Sequence, residues 1–433
     1  MTWQNWAGTA SADPVRRSWP RSTEEIGQAI TAAAKDGLTV RALGSGHSFT
    51  SAAATSGVAL DLSTWTGIIG ADLDSGLVTV RSGTTIKDLN AALHALGLAM
   101  ANLGDIDAQT VSGAISTGTH GTGAGLGGIA TQVTGLELVL ADGSTVFCSA
   151  DERPDLFSAA RVSVGALGVL STVTLQCVEA FTLAADERPM LLDEVLGRFG
   201  EFAADNDHFE FYWFPYGKNA LVKRNNRIAS GSPVPSPMPG WRRFFEYEMM
   251  ENAAFGALCR TGRAMPSAIK PLNRFAAATL SRRSYSAPSH EVFVTPRRVR
   301  FVESEYAVPR ESLLDVLAEL RAGVSGLADP VMFPVEVRVA AADDVWLSTA
   351  YGRDSAYVAI HQYVGLPYTD YFRLFESIAT SLGGRPHWGK MHTRDASYLA
   401  TAYPRFADFL RVRDLMDPSR RFANAYLQQI FGD

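Results

Sequence analysis

Arg41-Ala42-Leu43-Gly44-Ser45-Gly46-His47-Ser48-Phe49 follows the short apolar run Leu38-Thr39-Val40, and its reading decides how the rest of the chain is read. Gly44 and Gly46 permit positive φ and a close approach of backbone to a ligand. Successive main-chain N–H groups in such a turn form a nest for an anion, a pyrophosphate for example. His47 sits inside the loop. Taken alone, the same residues also describe a surface turn with a solvated histidine. The flanking elements have to decide between the two.

Those elements alternate. Ser22 and Glu25 make a capping box ahead of Ile26, Ala29, Ile30 and Ala33, which share one face of a helix over 22–35 that Gly37 stops. Strands are predicted over 38–43, 58–62 and 77–81. A second helix starts at Thr84 or Thr85, carries Ile86, Leu89, Leu93 and Leu96 at helical spacing, and ends at Gly97. This alternation indicates an α/β or α+β domain. Residues 102–123 are too polar and glycine-rich to be core throughout, and their hydroxyls and bare amides suit a ligand. Gly123, Gly125 and Gly128 spell a formal GxGxxG, but no strand precedes it and no helix follows, so a nicotinamide-binding Rossmann domain is set aside. Asp142-Gly143 predicts a hairpin between 135–141 and 145–148. A small-residue turn and a strand over 165–175 lead to a domain boundary near 178.

Past 180 the character changes. Residues 208–216 alternate and are dense in aromatics, as in a half-buried strand. Pro233, Pro235, Pro237 and Pro239 mark a long loop within 225–290, followed by helical pieces. Strands are predicted over 333–339 and 357–363. Glu336 and Arg338, two apart, share a face of the first, and His361 lies on the second. A helix is expected over 406–416.

With 433 residues the chain holds two or three domains, and 46% hydrophobic and 19% charged residues suit a globular protein with a sizeable core. A net charge of −6 argues against nucleic acid or an anionic membrane as main partner. Cys148, Cys177 and Cys259 are far apart and form neither a disulfide framework nor a zinc site. No signal peptide and no membrane span are expected, so a cytoplasmic location is predicted.

Across these pieces the chain resembles the vanillyl-alcohol-oxidase-type flavoproteins, in their sugar-1,4-lactone and alditol oxidase branch. The resemblance is carried by Gly44–Phe49, 102–123, 208–215, Glu305-Tyr306-Ala307-Val308-Pro309, 333–338 and His387-Trp388-Gly389-Lys390. It implies an α+β fold: a two-subdomain FAD-binding domain over 1–178, a cap with a large antiparallel sheet over 179–400, and a segment 401–433 returning to the first domain. It implies FAD, attached covalently through His47. Leu43, Gly44, Ser45, Gly46 and Ser48 match the pyrophosphate loop. Gly104, Asp105, Thr110, Gly113, Thr117, Gly118, Thr119, His120, Gly168 and Val169 match the remaining cofactor positions. Glu336, Arg338 and Lys390 match the catalytic polar cluster, and Asp105, His361 and Tyr363 the substrate positions.

The chemistry of these residue types agrees. Alcohol oxidation needs a hydride acceptor that no side chain provides. A cation, Arg338 or Lys390, stabilises the charge of the reduced flavin. Glu336 orients the hydroxyl, and Lys390 serves as base if burial beside Arg338 lowers its proton affinity. The plain alternative for Glu336 and Arg338 is a surface ion pair. A metal pair at His387 and His392 is disfavoured by poor spacing and no acidic partner nearby. Phe209–Phe214 read as cap-sheet core. Tyr363, where the alditol branch tends to carry threonine, would narrow a slot for an extended polyol. The expected substrate is therefore an aldono-1,4-lactone such as L-gulono- or D-arabinono-1,4-lactone, with alditols such as xylitol second. The resemblance also implies that Gly104 lies beside the reactive edge of the flavin, where dehydrogenases of the family tend to carry alanine, so molecular oxygen is the expected electron acceptor. A flavin-binding sensor without turnover is the reading from another class, and the polar trio speaks against it.

Overall fold

The computed structural model describes residues 2–228 and 234–432. Residues 229–233, part of the predicted proline-rich loop, lie outside the described residues.

The N-terminal half follows the predicted order. Helix Thr23–Lys35 is capped by Ser22, whose Oγ accepts from the Glu25 N–H at 3.2 Å. Glu25 reaches back one residue further than a capping box requires, accepting from the Arg21 N–H at 2.7 Å. A parallel three-stranded sheet is ordered Arg16–Ser18, Val58–Asp61, Val40–Leu43, so the glycine loop leaves the end of an edge strand. A five-stranded antiparallel sheet is ordered Thr145–Ser149, Val133–Val139, Val169–Gln176, Leu77–Arg81, Ile68–Asp72. The Asp142-Gly143 turn joins its first two strands, with Gly143 at φ +83°.

The second half is built on an antiparallel sheet of eight strands. Their order is Arg283–Pro288, Thr182–Leu191, Asn219–Arg227, His208–Trp213, Val335–Ala340, Ser355–Tyr363, Phe301–Pro309, Arg385–Pro386. The two faces differ because side chains alternate along each strand. Phe209, Phe211, Trp213, Val335, Val337, Val339, Val358 and Ile360 are buried in one apolar core with helices Leu313–Val324 and Thr369–Ser381. The residues between them point the other way and carry the charges. Within 225–290 the helical pieces are Gly240–Arg243, a π-helical stretch Phe244–Ala254, Phe255–Ala264 and Ile269–Ala278. The edge strand Arg283–Pro288 was not expected there.

The C-terminal segment packs against the glycine-loop region. The Val40 N–H donates to the Arg421 carbonyl at 2.8 Å. Asn424 Nδ2 donates to the carbonyls of Ser51, Ala52 and Ala54 at 3.0, 3.1 and 2.8 Å. No helix among the described residues is long and apolar enough to cross a membrane.

Candidate functional site

Two adjoining crevices share His47, Ser48, Gln109 and Thr117 as lining residues and span about 1070 and 910 Å³, their solvent-open mouths included. The smaller one lies in the N-terminal half. Leu43, Gly44, Ser45, Gly46, Thr110, Gly113, Gly168 and Val169 line it. Gly46 is at φ +72°, which an L side chain rarely adopts. Thr110 caps helix Val111–Ser116, accepting from the Gly113 N–H at 3.2 Å, and a Cβ on Gly44 would lie 2.6 Å from its Oγ1. The N–H groups of Ser45, Gly46, His47 and Ser48 have no acceptor among the described residues, which leaves four successive donors in this loop.

The charge of this crevice has one sign. Among the described residues no carboxylate lines it, and its one guanidinium is buried Arg41. Arg41 donates to the carbonyls of Val164, Gly165 and Phe422 at 2.7–2.9 Å, while its Nε has no partner. Burial lowers the Arg41 guanidinium to about 10 against the attraction of Asp417. A glycine turn of free donors beside a buried cation is suited to an anionic group such as the diphosphate of FAD.

The larger crevice lies against the polar face of the eight-stranded sheet. Strand register puts five charges of alternating sign in one row: Arg283, Glu187, Lys223, Glu210, Arg338. Arg338 Nε donates to Glu210 Oε2 at 2.8 Å, and its Nη2 pairs with Glu336 on its own strand. Tyr212, opposite Glu336, donates to Glu336 Oε1 at 3.0 Å. Burial pushes the Glu336 carboxyl up; Arg338 opposes this and Glu210 adds to it. Asp105 behaves in the opposite way: burial would raise it, but Arg297, Lys223 and Arg338 outweigh burial and bring it to about 2.

Lys390 and His361 approach from the other side. Lys390 Nζ lies 2.5 Å from Glu303 Oε2. His361 Nε2 stands 3.5 Å from Glu303 and 3.9 Å from Glu336, and its Nδ1 is 3.0 Å from the Pro334 carbonyl. Burial would raise Glu303, but Lys390 and His361 bring it down to about 2. Below them, His120 Nε2 is 3.0 Å from Glu305 Oε1, and its ring stacks on Tyr357 at 3.5 Å. The ligand atoms of His120, Glu305 and His387 lie within 4.8 Å of one another. They already have partners: His120 and Glu305 bond to each other, and His387 Nδ1 accepts from the Gly389 N–H at 3.0 Å. His392, considered with His387 as a ligand pair, sits instead at 3.0 Å from the Tyr426 hydroxyl.

Most of the residues singled out in the sequence meet here. Glu336, Arg338, Lys390, Asp105, His361, Gly104, Thr119 and His120 line the larger crevice with His47 and Thr117. Glu336 and Arg338 are about nine-tenths buried, with 11% of each side chain exposed, which removes the surface-pair alternative. Gly118 and Tyr363 line neither crevice. Tyr363 stacks on Phe333, ring centroids 6.4 Å apart, and Phe333 lines the larger crevice. The sequence reading missed Glu210, Glu303, Arg297 and Arg41. The signal for Glu303 was Val302-Glu303-Ser304-Glu305-Tyr306, acids two apart in an otherwise uncharged strand.

Comparison with known proteins adds a family. A model described as FAD binding domain matches residues 16–149, and one described as D-arabinono-1,4-lactone oxidase matches residues 173–430. The chain is 42% identical over 430 residues to the L-gulono-1,4-lactone dehydrogenase of Mycobacterium tuberculosis, covering 99% of each. It is 34% identical over 438 residues to the L-gulonolactone oxidase of Mus musculus, covering 100% of this chain and 98% of that one. Among solved structures, a solvent-stable cholesterol oxidase superposes with a TM-score of 0.84 at 21% identity, covering 100% of this chain and 97% of that one. At that identity the likeness is one of fold.

Proposed function

Because this chain belongs to the D-arabinono-1,4-lactone oxidase family and carries an FAD-binding domain, we propose that it oxidises a hydroxyl of an aldono-1,4-lactone. The observation that carries this reading is the Glu336–Arg338 pair, buried on the sheet face that borders the same crevice as His47. FAD bound in the paired crevices supplies the hydride acceptor that side chains lack. Residues 43–48, Thr110, Gly113, Thr117, Gly168 and Val169 hold it, with Arg41 balancing its negative charge.

The polar cluster handles the proton and the charge. Glu336 is the lining carboxyl whose proton affinity is raised, so it takes the hydroxyl proton. Lys390 would be a base only on the condition that burial beside Arg338 lowered its proton affinity. Its Nζ instead lies 2.5 Å from Glu303 Oε2, a carboxyl brought down to about 2, and it is assigned as the ionic partner of that carboxylate. Arg338 holds Glu336 in place and supplies positive charge as negative charge develops.

L-Gulono-1,4-lactone is the leading substrate, in line with the L-gulono-1,4-lactone dehydrogenase and L-gulonolactone oxidase among the relatives. A polyol is the second reading. Molecular oxygen is the proposed acceptor, resting on Gly104; the name dehydrogenase on the 42% relative favours a different acceptor as the second reading. The test is anaerobic: lactones and polyols are mixed with the yellow protein and bleaching is followed. Rapid bleaching by aldonolactones supports the reading, and no bleaching by any sugar removes it. Arg338→Ala and Lys390→Ala should each slow bleaching by about two orders of magnitude while the protein stays yellow.

A further inference from the structure

Arg297 lies between helix Ser289–Phe293 and strand Phe301–Pro309, at the wall of the larger crevice. Its Nε donates to Asp105 Oδ2 at 2.8 Å. Asp105 is fixed in turn by Thr295, whose hydroxyl donates to its carboxylate and whose N–H donates to its carbonyl at 3.2 Å. The guanidinium is thus aimed by its Nε edge. Neither Nη atom has an acceptor among the described residues, and 30% of the side chain is open. The other two lining cations are engaged differently: Arg338 spans Glu210 and Glu336, and Lys390 meets Glu303.

We propose that the free Nη edge of Arg297 receives the carbonyl oxygen of the lactone ring, which makes Arg297 the residue that separates lactones from polyols. The proposal rests on the lactone reading above. A guanidinium has only donors. A hydroxyl that accepts from it must still place its own proton, whereas a carbonyl oxygen accepts and asks for nothing else. A polyol has no such atom. The opened aldonate carries a carboxylate that would also accept, but Asp105 already balances the Arg297 charge. Glu251, Glu303, Glu305 and Glu336 line the same space and oppose a further anion. The neutral ring ester is the form the crevice suits.

The experiment uses the FAD-loaded protein, anaerobic flavin reduction, and two probes: L-gulono-1,4-lactone and 1,4-anhydro-L-gulitol, in which a CH2 replaces the carbonyl. Arg297→Met should raise the half-saturating lactone concentration about ten- to hundredfold, the scale of lost hydrogen bonds to a charged donor. The ether should change less than about twofold, the limiting rate should hold, and Arg297→Lys should recover part of the loss. Parallel shifts for both probes would overturn the proposal and leave Arg297 as a latch on Asp105. Should Arg297→Met not fold, the parent protein still decides. Its half-saturation for the ether must exceed that for the lactone at least about tenfold, and equal values overturn the proposal. No bleaching by any lactone in the parent overturns the lactone reading itself, a result distinct from bleaching with no preference between the probes.

Discussion

Glu210 and Arg338 stand directly opposite each other on neighbouring strands, Oε2 to Nε 2.8 Å, with 11% of each side chain exposed. The pair is the middle of a relay. Lys223 approaches Glu210 at 3.3 Å from the other side, and Arg338 passes on to Glu336. A guanidinium held along two edges by carboxylates cannot swing, so the position of Glu336 depends on a residue that lies outside the crevice lining.

Removing Glu210 therefore has two consequences. Glu210→Ala leaves Arg338 and Lys223 buried with a partner missing, which costs about 3–5 kcal/mol. It also frees Arg338, so anaerobic flavin reduction should slow by about tenfold or more. Urea unfolding and stopped-flow bleaching measure the two separately. Stability within about 1 kcal/mol of the parent, the scale of an exposed pair, would mean that the row of charges is solvated after all.

The acid limb of stability follows from four buried groups. Burial depresses His387 and His392 to about 4 from 6.5, so the unfolded chain binds their protons first. Stability is then complete above 6.5 and falls as pH drops toward 4. Asp105 and Glu303, at about 2, extend the loss: their contribution is present above the unfolded carboxyl range near 4 and disappears as pH falls to about 2. His392→Gln should flatten the limb between pH 6.5 and 4 by at most roughly 3 kcal/mol. Unfolding midpoints at pH 7, 5.5 and 4.5 test this, and identical pH profiles for parent and variant would refute it.

How much of this could be seen in the sequence depends on the range of each signal. The helix at Thr23–Lys35, the hairpin at Asp142-Gly143 and the glycine loop are written in neighbouring residues, and they were legible. For Glu336 and Arg338 the period of two gave only a shared face, which by itself favoured a surface ion pair; their place in the polar cluster came from the resemblance. Their partners were not legible. Glu210 comes 128 positions earlier, and only the strand register brings it opposite Arg338. Tyr363, also named as a substrate position, sits at the end of its strand, where its ring stacks on Phe333, while His361 lines the crevice. Strand Arg283–Pro288 was hidden because Arg283, Ser284 and Ser286 leave it no apolar alternation.

A covalent flavin at His47 is the third prediction. His47 touches both crevices, and its ring stacks on Trp6 at 5.8 Å and 23°. Burial, with Lys390 nearby, lowers its proton affinity, so a neutral imidazole keeps a lone pair that would bond to the flavin methyl carbon as that carbon gives up a proton and the flavin ring takes the electron pair. Acid-precipitated protein should stay yellow and fluoresce on a denaturing gel, and His47→Ala should release its flavin. Colour found wholly in the supernatant of the parent protein would make His47 a neighbour of the cofactor and no more.

The last prediction concerns oxygen and rests on Gly104. This residue lines the larger crevice, and its backbone is not in the left-handed region, so alanine is conformationally allowed there. A Cβ would lie 3.1 Å from Thr119 Cγ2 and 3.2 Å from the His120 carbonyl oxygen. Both contacts are tight by a few tenths of an ångström, so the methyl would fill the gap between three lining residues and press on the loop that carries Thr119 and His120. Oxygen is small and needs only such a gap, whereas the larger sugar is proposed to meet Glu336 and Lys390. Gly104→Ala should therefore slow reoxidation by oxygen at least about tenfold while anaerobic bleaching by the lactone changes little. Substrate-reduced protein is mixed with oxygenated buffer, and flavin absorbance is followed together with hydrogen peroxide. Slow reoxidation of the parent, with rapid turnover on a dye or a cytochrome, would make the protein a dehydrogenase and leave Gly104 as a residue of packing alone. Equal slowing of both half-reactions in Gly104→Ala would point to displacement of the Thr119–His120 loop, and the gap would then have no bearing on the choice of acceptor.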